Sequence, residues 1–389
     1  MAPGGGTSGD AQPTQRGCPH HAARAVGVGM KLGLGVFSGE AVGAAGLSHT
    51  DLLRESLDEM ALAEEVGLDS VWITEHHFLE SGYIGSVLPY AAAAAVRTSR
   101  ITVGISVALA PLYDPIRLAE DAAFVDQLSG GRLELGLALG YRDEEYAGYG
   151  IERKHRVGRT EELCALLRQS WADAPVDFAG RHFERSGFSV YPKPVSSGGI
   201  PILMGGHVPA AIDRVARLAD AFIMDGGTDS DAFGEAGTNR DLFDRVESGA
   251  RLYREARERH GLSGERLPFY LTLGGFLHAD GPDAAWQELQ HGYMLTRRTY
   301  ADWYGLPEES WAHWHPETMS AAEHAQRRTE VVLGTPADIA PTVERLRDIV
   351  GDDLHIMFRT RYPGVSHEAT AASIRLLGEL RSSIHGAAS

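Results

Sequence analysis

The chain has 389 residues, of which 43% are hydrophobic and 23% charged, a composition typical of a folded globular protein with a large core. Acidic residues outnumber basic ones by 53 to 36, so the formal net charge of −17 disfavours nucleic acid or an anionic membrane as a partner. Two cysteines, Cys18 and Cys164, are too few for a disulfide framework. So low a cysteine count fits a reducing cytosol, where we expect the protein, and no apolar run is long enough to span a bilayer.

The first 29 residues differ in composition from the rest of the chain. They are rich in Gly, Ala, Pro, Ser and Thr and show no hydrophobic periodicity, which predicts a disordered N-terminal extension of residues 1–29. Cys18, His20 and His21 lie in this extension, but one cysteine and two adjacent histidines in an unstructured tail are a weak metal signal. We therefore predict no metal site and a single folded domain over residues 30–389.

From Lys31 onward, segments with strand and helix patterns alternate. The predicted strands lie at 32–37, 71–74, 101–109, 132–139, 200–204, 221–224, 269–277 and 354–359. Each is followed by a segment with helical spacing, and this makes eight βα units. The count predicts a closed α/β (β/α)8 TIM barrel. A doubly wound open sheet is the alternative, but no G-x-G-x-x-G motif follows the first strand.

Two segments exceed what a minimal barrel needs. We predict an excursion at residues 174–199, between the fourth helix and the fifth strand. We also predict an extended insertion at residues 280–334, before the last βα unit. The second segment is rich in aromatic residues: Trp286, Tyr293, Tyr300, Trp303, Tyr304, Trp311 and Trp314. Long loops at this face of a barrel are usually lids or substrate walls. The alternative is a helical hairpin whose rings form a satellite core or a dimer contact, and we expect a mixture of both roles.

The second predicted strand, in the segment SVWITEHHF (70–78), ends in three titratable residues: Glu75, His76 and His77. Parallel α/β folds place their chemistry at the carboxyl ends of the strands, so an active site is expected here. Histidine suits proton transfer near neutral pH. The alternative is that these side chains are solvated loop residues, because side chains at strand ends are often exposed.

A second signal follows the fifth predicted strand. Gly205 and Gly206 lie between this strand and a predicted helix at 209–219. Such glycines expose backbone N–H groups at the positive end of a helix dipole, which favours a phosphate. The alternative is that they serve only the turn. Walker, H-E-x-x-H, C-x-x-C and G-x-S-x-G motifs are all absent from the sequence.

Three runs of residues together resemble the bacterial luciferase-like flavin-dependent monooxygenases. TEHHFLESGYIG (74–85) resembles the Glu-His-His-Phe segment of the luciferase α subunit. Residues 103–141 resemble its third and fourth βα units, including D-P-x-R-x-A-E-D at 114–121 and D-Q-x-S-x-G-R at 126–132. The resemblance extends from Met30 almost to the C-terminus, with the runs in the same order and spacing.

This resemblance implies roles for particular residues. His76 would be the catalytic histidine, with Glu75 orienting it and His77 beside it. The resemblance places a cis peptide behind the flavin ring at Ser106 and Val107. The flavin phosphate would be held by the segment Met204, Gly205, Gly206 and His207. Leu139 stands where luciferase has an arginine near the phosphate, and Arg142 or Arg359 could replace that charge.

The function implied by the resemblance is a two-component monooxygenase. Reduced FMN would come from a separate flavin reductase and react with O2 through a C4a-peroxyflavin to oxygenate an apolar or aromatic small-molecule substrate. The resemblance also implies a homodimer. Two alternatives stay open: an F420-dependent hydride-transfer oxidoreductase of the same superfamily, and a non-catalytic flavin-binding partner subunit.

Overall fold

The computed structural model of the chain describes residues 29–37, 46–196, 198–226, 241–262, 264 and 266–386. The predicted disordered extension, apart from Gly29, lies outside the described residues, as do Cys18, His20 and His21. The strands are β1 (Lys31–Phe37), β2 (Ser70–Ile73), β3 (Thr102–Leu109), β4 (Leu133–Ala138), β5 (Val176–Ala179), β6 (Glu184–Phe188), β7 (Ile202–Gly205), β8 (Ala221–Asp225), β9 (Phe269–Leu277), β10 (Val332–Gly334) and β11 (Leu354–Arg359).

The helices alternate with these strands. They are α1 (His49–Glu65), α2 (Val87–Arg97), α3 (Pro115–Ser129), α4 (Asp143–Gly148), α5 (Arg156–Trp171), α6 (Pro209–Leu218), α7 (Leu242–Arg259), α8 (Pro282–Trp303), α9 (Ala321–Arg328), α10 (Pro336–Val350) and α11 (His367–Gly386). The short helix α4 lies inside the segment that precedes α5, and the sequence pattern did not indicate it.

The main sheet closes on itself. Parallel pairs run in the order β9, β11, β1, β2, β3, β4, β7 and β8, and β8 pairs again with β9. The predicted (β/α)8 TIM barrel is therefore confirmed. The predicted excursion at 174–199 contains the antiparallel hairpin of β5 and β6. Within the described ranges, no helix combines the length and apolar character needed to cross a membrane.

The barrel interior is filled by large side chains from several strands. Trp72 on β2 is fully buried and packs with Tyr270 at a ring-centroid distance of 5.5 Å. Gly104 on the neighbouring β3 makes room for it, since a Cβ there would lie 2.2 Å from the indole ring. The strand SVWI is buried along its whole length, as expected for a parallel strand covered on both faces.

The D-Q-x-S-x-G-R motif has a structural role. Arg132 donates to the carbonyls of Ala95, Thr98 and Ile101, to the Thr98 hydroxyl and to the carbonyl of Ser129. Most of these acceptors lie at the C-terminal end of α2, where helix carbonyls lack partners within the helix, and in the turn before β3, whereas Ser129 ends α3. The motif thus fixes the connection from α2 to β3 and lies away from the cavity-lining residues described below.

The aromatic insertion forms its own small core. Trp286, Tyr293 and Trp314 pack in a cluster with Tyr362, separate from the main core between sheet and helices. The end of α8 instead reaches the carboxyl ends of the strands, where Trp303 lies 4.9 Å from His76, measured between ring centroids. The aromatic rings of this segment therefore divide between this small core and the surroundings of His76.

Candidate active site

A cavity of about 640 Å³ opens where the barrel strands end. Its lining includes residues at or just after the ends of β2, β4, β7, β8 and β11: Thr74, Ala138, Gly205, Asp225 and Arg359. This is the face at which TIM barrels carry their active sites. The volume lies within the usual range for a cofactor or substrate site, roughly 300–1,000 Å³.

His76 lines this cavity and is held by a buried carboxylate. Its Nδ1 lies 3.0 Å from Oε1 of Glu145, a residue of α4 that is 1% exposed. The same oxygen accepts the backbone N–H of His77 at 3.0 Å and lies 3.3 Å from Nη1 of Arg142. Glu145 was not expected from the sequence, since nothing there distinguishes it from the neighbouring Asp143 and Glu144.

The expectation that Glu75 orients His76 is wrong. Glu75 turns away from its neighbour and accepts the Leu109 backbone N–H at 2.6 Å and the hydroxyl of Tyr113. Burial, and then the charge of Glu75, raise the pKa of Tyr113 well above its usual value, so the phenol stays protonated and donates. Adjacent side chains at an extended strand end point in opposite directions, which explains why Glu75 and His76 separate.

His77, like Glu75, is not among the described residues that line the cavity. Its Nε2 is 3.3 Å from Oε1 of Glu75, outside hydrogen-bond geometry, and its Nδ1 is 3.1 Å from the hydroxyl of Tyr149. Of the three titratable residues predicted at this strand end, the structure brings His76 to the cavity and uses Glu75 and His77 to fix the surrounding loops.

Ser106, Val107 and Leu139 all line the cavity. The Ser106–Val107 peptide is cis, at the position where the resemblance places such a bond. Leu139 presents an apolar side chain next to them. Of the two arginines considered as substitutes for its missing charge, Arg359 lines the cavity and Arg142 is absent from the described lining. Arg142 instead donates to the His77 carbonyl at 2.9 Å.

The glycine segment lies at another part of the same cavity. Gly205, Gly206 and His207 line it, whereas Met204 packs into the core between the sheet and the helices. A Cβ on Gly206 would lie 2.5 Å from the Cβ of Ala211, so only glycine lets α6 begin this close to the end of β7.

Arg214 supplies a cation beside these glycines. It lies on α6, lines the cavity and has its Nε 3.3 Å from Oε1 of Glu161. The N-cap residue of α6, Val208, has no side chain that can bond the first turn of the helix. The two glycines, the start of a helix and an arginine form a set that fits a phosphate. The sequence signal for Arg214 is its place about one and a half turns into the helix that follows the glycines.

The insertion provides the remaining wall. Tyr293, Tyr300 and Tyr304 line the cavity, and Tyr304 stacks on Tyr141 at a centroid distance of 4.7 Å. Polar side chains lie among these rings, because Glu330 accepts the hydroxyl of Tyr293 at 2.6 Å. This wall is therefore aromatic with a polar region.

The sequence profile of the luciferase-like monooxygenases matches residues 32–353, which is most of the chain. This chain belongs to the luciferase-like monooxygenase family. The resemblance carried by the Glu-His-His and D-Q-x-S-x-G-R runs is confirmed, and the matched region extends from β1 through α10, so it includes His76, the glycine segment and the insertion.

Curated relatives of this luciferase-like chain include members of two functional groups. It is 29% identical over 179 residues to the alkanal monooxygenase alpha chain of Photorhabdus laumondii, covering 46% of this chain and 49% of the relative. It is 34% identical over 183 residues to the F420-dependent glucose-6-phosphate dehydrogenase of Amycolatopsis mediterranei, covering 45% and 54%. The chain thus spans about half the length of the curated relatives it matches.

Among solved structures, the fold is similar to that of the oxygenating constituent of 3,6-diketocamphane monooxygenase of Pseudomonas putida in complex with FMN. The TM-score is 0.70 at 18% identity, and the match covers 90% of this chain and 97% of the other. At this identity the likeness establishes the fold alone. Members of the family are oxidoreductases or monooxygenases, and flavin-type cofactors occur among the neighbours.

Proposed function

We propose that the chain is the oxygenating component of a two-component monooxygenase that binds reduced FMN and uses O2 to oxygenate a small organic substrate. The observation that carries this proposal is that one cavity joins His76 to the glycine segment and Arg214. A proton-transfer group and a phosphate-binding group at two parts of one cavity are what such an enzyme needs. Reduced flavin, when bound, supplies the electrons that activate O2.

The residues present fit FMN in a specific way. Gly205, Gly206 and His207, with Arg214, would hold the phosphate, and Ser106, Val107 and Leu139 would lie against the ring system. Leu139 contributes no charge, and Arg214 takes the role that an arginine at that position would have. The phosphate contacts then come from α6 and the end of β7 instead of from the end of β4.

His76 would hold or move a proton at Nε2, the ring nitrogen left for the cavity once Nδ1 contacts Glu145. Tyr300 and Trp303 of α8 lie beside it, at ring-centroid distances of 6.4 and 4.9 Å, and would exclude water from the reacting groups. The wall of Tyr300, Tyr304 and Val331 suits an apolar or aromatic substrate. Reduction of the flavin is assigned to a separate reductase in the same compartment, the cytoplasm.

An F420-dependent hydride-transfer enzyme is the second candidate. It is favoured by the 34% identity to an F420-dependent dehydrogenase and by the apolar Leu139. Such an enzyme would use the same barrel face without O2. A non-catalytic flavin-binding subunit is the third, and it would bind cofactor without turnover.

Anaerobic titration of the purified chain with reduced FMN and with reduced F420, followed by rapid mixing with oxygenated buffer, separates these candidates. We expect the chain to bind reduced FMN with micromolar or tighter affinity. We also expect O2 uptake coupled to oxygenation of at least one compound in a panel of aldehydes, ketones and phenols. Binding of F420 with hydride transfer and without O2 uptake would replace the proposal by the second candidate. FMN binding without any turnover would favour the third.

Substitution of Arg214 tests the phosphate site. Arg214→Met should weaken FMN binding about tenfold or more, because a charged hydrogen bond contributes roughly 1.5–3 kcal/mol, and leave riboflavin affinity unchanged. Arg217→Met is the matched control, since Arg217 lies on the same helix and also contacts Glu161, at 2.7 Å, but does not line the cavity. Isothermal titration with both flavins measures the difference. Equal losses for FMN and riboflavin would show that Arg214 does not contact the phosphate.

We also propose that the protein is a homodimer through the face formed by α2 and α3. Phe124 on α3 is 60% exposed, and further exposed apolar side chains lie on these helices and on the adjoining segment: Val96, Leu128, Tyr191 and Val195. That segment lies against α3, since the Gln127 side chain donates to the Lys193 carbonyl at 2.8 Å. A contiguous exposed apolar patch commonly marks an interface.

Phe124→Asp should shift the protein from dimer to monomer, because a charge in an apolar interface is costly. Light scattering after size exclusion gives the mass directly. Arg251→Gln on α7 carries the same change in net charge on a different helix and should leave the mass unchanged. A dimeric Phe124→Asp variant would place the interface elsewhere.

A further inference from the structure

Glu145 is in an unusual position for a residue of a short helix. It is buried, and its Oε1 lies at hydrogen-bond distance from Nδ1 of His76 and from the backbone N–H of His77, both at 3.0 Å. It is absent from the described lining of the cavity, so any effect it has on a ligand must pass through His76 or the adjacent backbone.

The ionisation state of Glu145 determines which ring nitrogen of His76 carries a proton. Burial alone would raise the pKa of Glu145, but the hydrogen bonds from His76 and from the His77 N–H, together with the nearby charge of Arg142, outweigh it and hold the pKa below its ordinary value. An ionised carboxylate is an acceptor only. The proton shared with His76 must therefore sit on Nδ1, which leaves the Nε2 lone pair as the acceptor.

Neighbouring side chains contact both members of the pair of Glu145 and His76. Arg142 lies next to Glu145, and its guanidinium is 4.6 Å from the ring centroid of Trp303, which in turn contacts His76. Tyr83, Tyr141 and Tyr300 complete the shell around the imidazole. Among the described residues, Glu145 provides the carboxylate that lies within hydrogen-bond distance of the His76 ring.

From these contacts we infer that Glu145 is the positioning residue of His76: it selects the Nδ1–H tautomer, so that Nε2 takes a proton from the cavity, and it stabilises the resulting imidazolium. Glu145 itself stays ionised, and the imidazolium returns its Nε2 proton to water that enters when product leaves, which regenerates the neutral base. A carboxylate that orients a catalytic base recurs on unrelated folds because a free imidazole populates both tautomers and rotates. This inference rests on the proposed catalytic role of His76.

Two substitutions separate charge from contact. Glu145→Gln keeps an oxygen acceptor for Nδ1 but removes the charge, and it should lower kcat about tenfold and shift the pH profile of kcat toward lower pH. Glu145→Ala removes both and should lower kcat about 100-fold or more. Neither should change the FMN dissociation constant more than about twofold, because Glu145 does not line the cavity. Glu144→Gln, on the exposed face of the same helix, is the matched control.

A measurement on the ligand-free protein tests the tautomer of His76 separately from the proposed function. In protein labelled with ¹⁵N in the histidine rings, the His76 resonances are identified by their loss in His76→Gln. The wild-type chain and Glu144→Gln should show the Nδ1–H tautomer, Glu145→Gln should retain it, and Glu145→Ala should show a mixture.

An unchanged tautomer in Glu145→Ala, in a variant whose circular dichroism matches wild type, would overturn the inference even if the enzyme turns over FMN and O2. If Glu145→Ala loses the single tautomer but the wild-type chain has no oxygenase activity, the result would support the positioning of His76 and reject the proposed function. A fall in affinity for FMN equal to the fall in kcat would also overturn the inference, because it would indicate a structural effect on the whole cavity.

Discussion

His76→Gln is expected to reduce product formation by roughly 10²- to 10⁴-fold, the usual contribution of a positioned acid–base group. FMN affinity should stay within about twofold, because the groups assigned to the phosphate lie at the start of α6, on another part of the cavity. The assay uses whichever compound from the aldehyde, ketone and phenol panel the wild-type chain converts, with product measured by mass spectrometry at saturating reduced FMN.

The neighbouring histidine gives a matched control for this experiment. His77→Gln changes the same residue type one position along, but this side chain contacts Glu75 and Tyr149 outside the cavity, so turnover should fall less than about tenfold. Wild-type turnover in His76→Gln would reject its catalytic role. Equal losses in both variants would instead assign the effect to the conformation of the loop after β2.

Arg132→Met should lower the free energy of unfolding by about 3 kcal/mol. The substitution removes five hydrogen bonds from one guanidinium and leaves the carbonyls of Ala95, Thr98 and Ile101 without this donor. The substitution also removes the positive charge at the C-terminal end of α2, which interacts favourably with the negative end of the helix dipole. Urea unfolding followed by circular dichroism, with refolding checked, measures the change.

Arg100→Met is the comparison for this prediction, because Arg100 is an exposed arginine in the same connection between α2 and β3. Its loss should cost under about 0.5 kcal/mol, the usual range for surface substitutions. Arg132→Lys should recover only part of the difference, since an ammonium cannot reproduce the planar fork of donors. A loss below about 1 kcal/mol for Arg132→Met would mean that water replaces the guanidinium at these carbonyls.

The comparison of Glu75 with Glu145 shows how far the sequence could locate the site. The strand pattern and its Glu-His-His ending were enough to place His76 at the carboxyl end of the barrel, because a buried parallel strand must end at that face. The sequence neighbour Glu75 was the natural partner for His76, yet the partner is Glu145, 69 positions along the chain. Contacts between side chains from different βα loops depend on how the barrel closes, which a single sequence does not encode locally.

By itself, the sequence determined the alternation of strands and helices, the closure into eight βα units, the family and the two signals at Glu75–His77 and Gly205–Gly206. These are local properties of hydrophobic period, turn chemistry and short motifs. Only the tertiary structure decided that Met204 packs into the core while Arg214 reaches the cavity, that Arg142 supports Glu145 instead of a phosphate, and that the insertion divides between its own core and the wall beside His76. These outcomes depend on which face of each element meets its neighbour, and burial against residues far apart in sequence sets that choice.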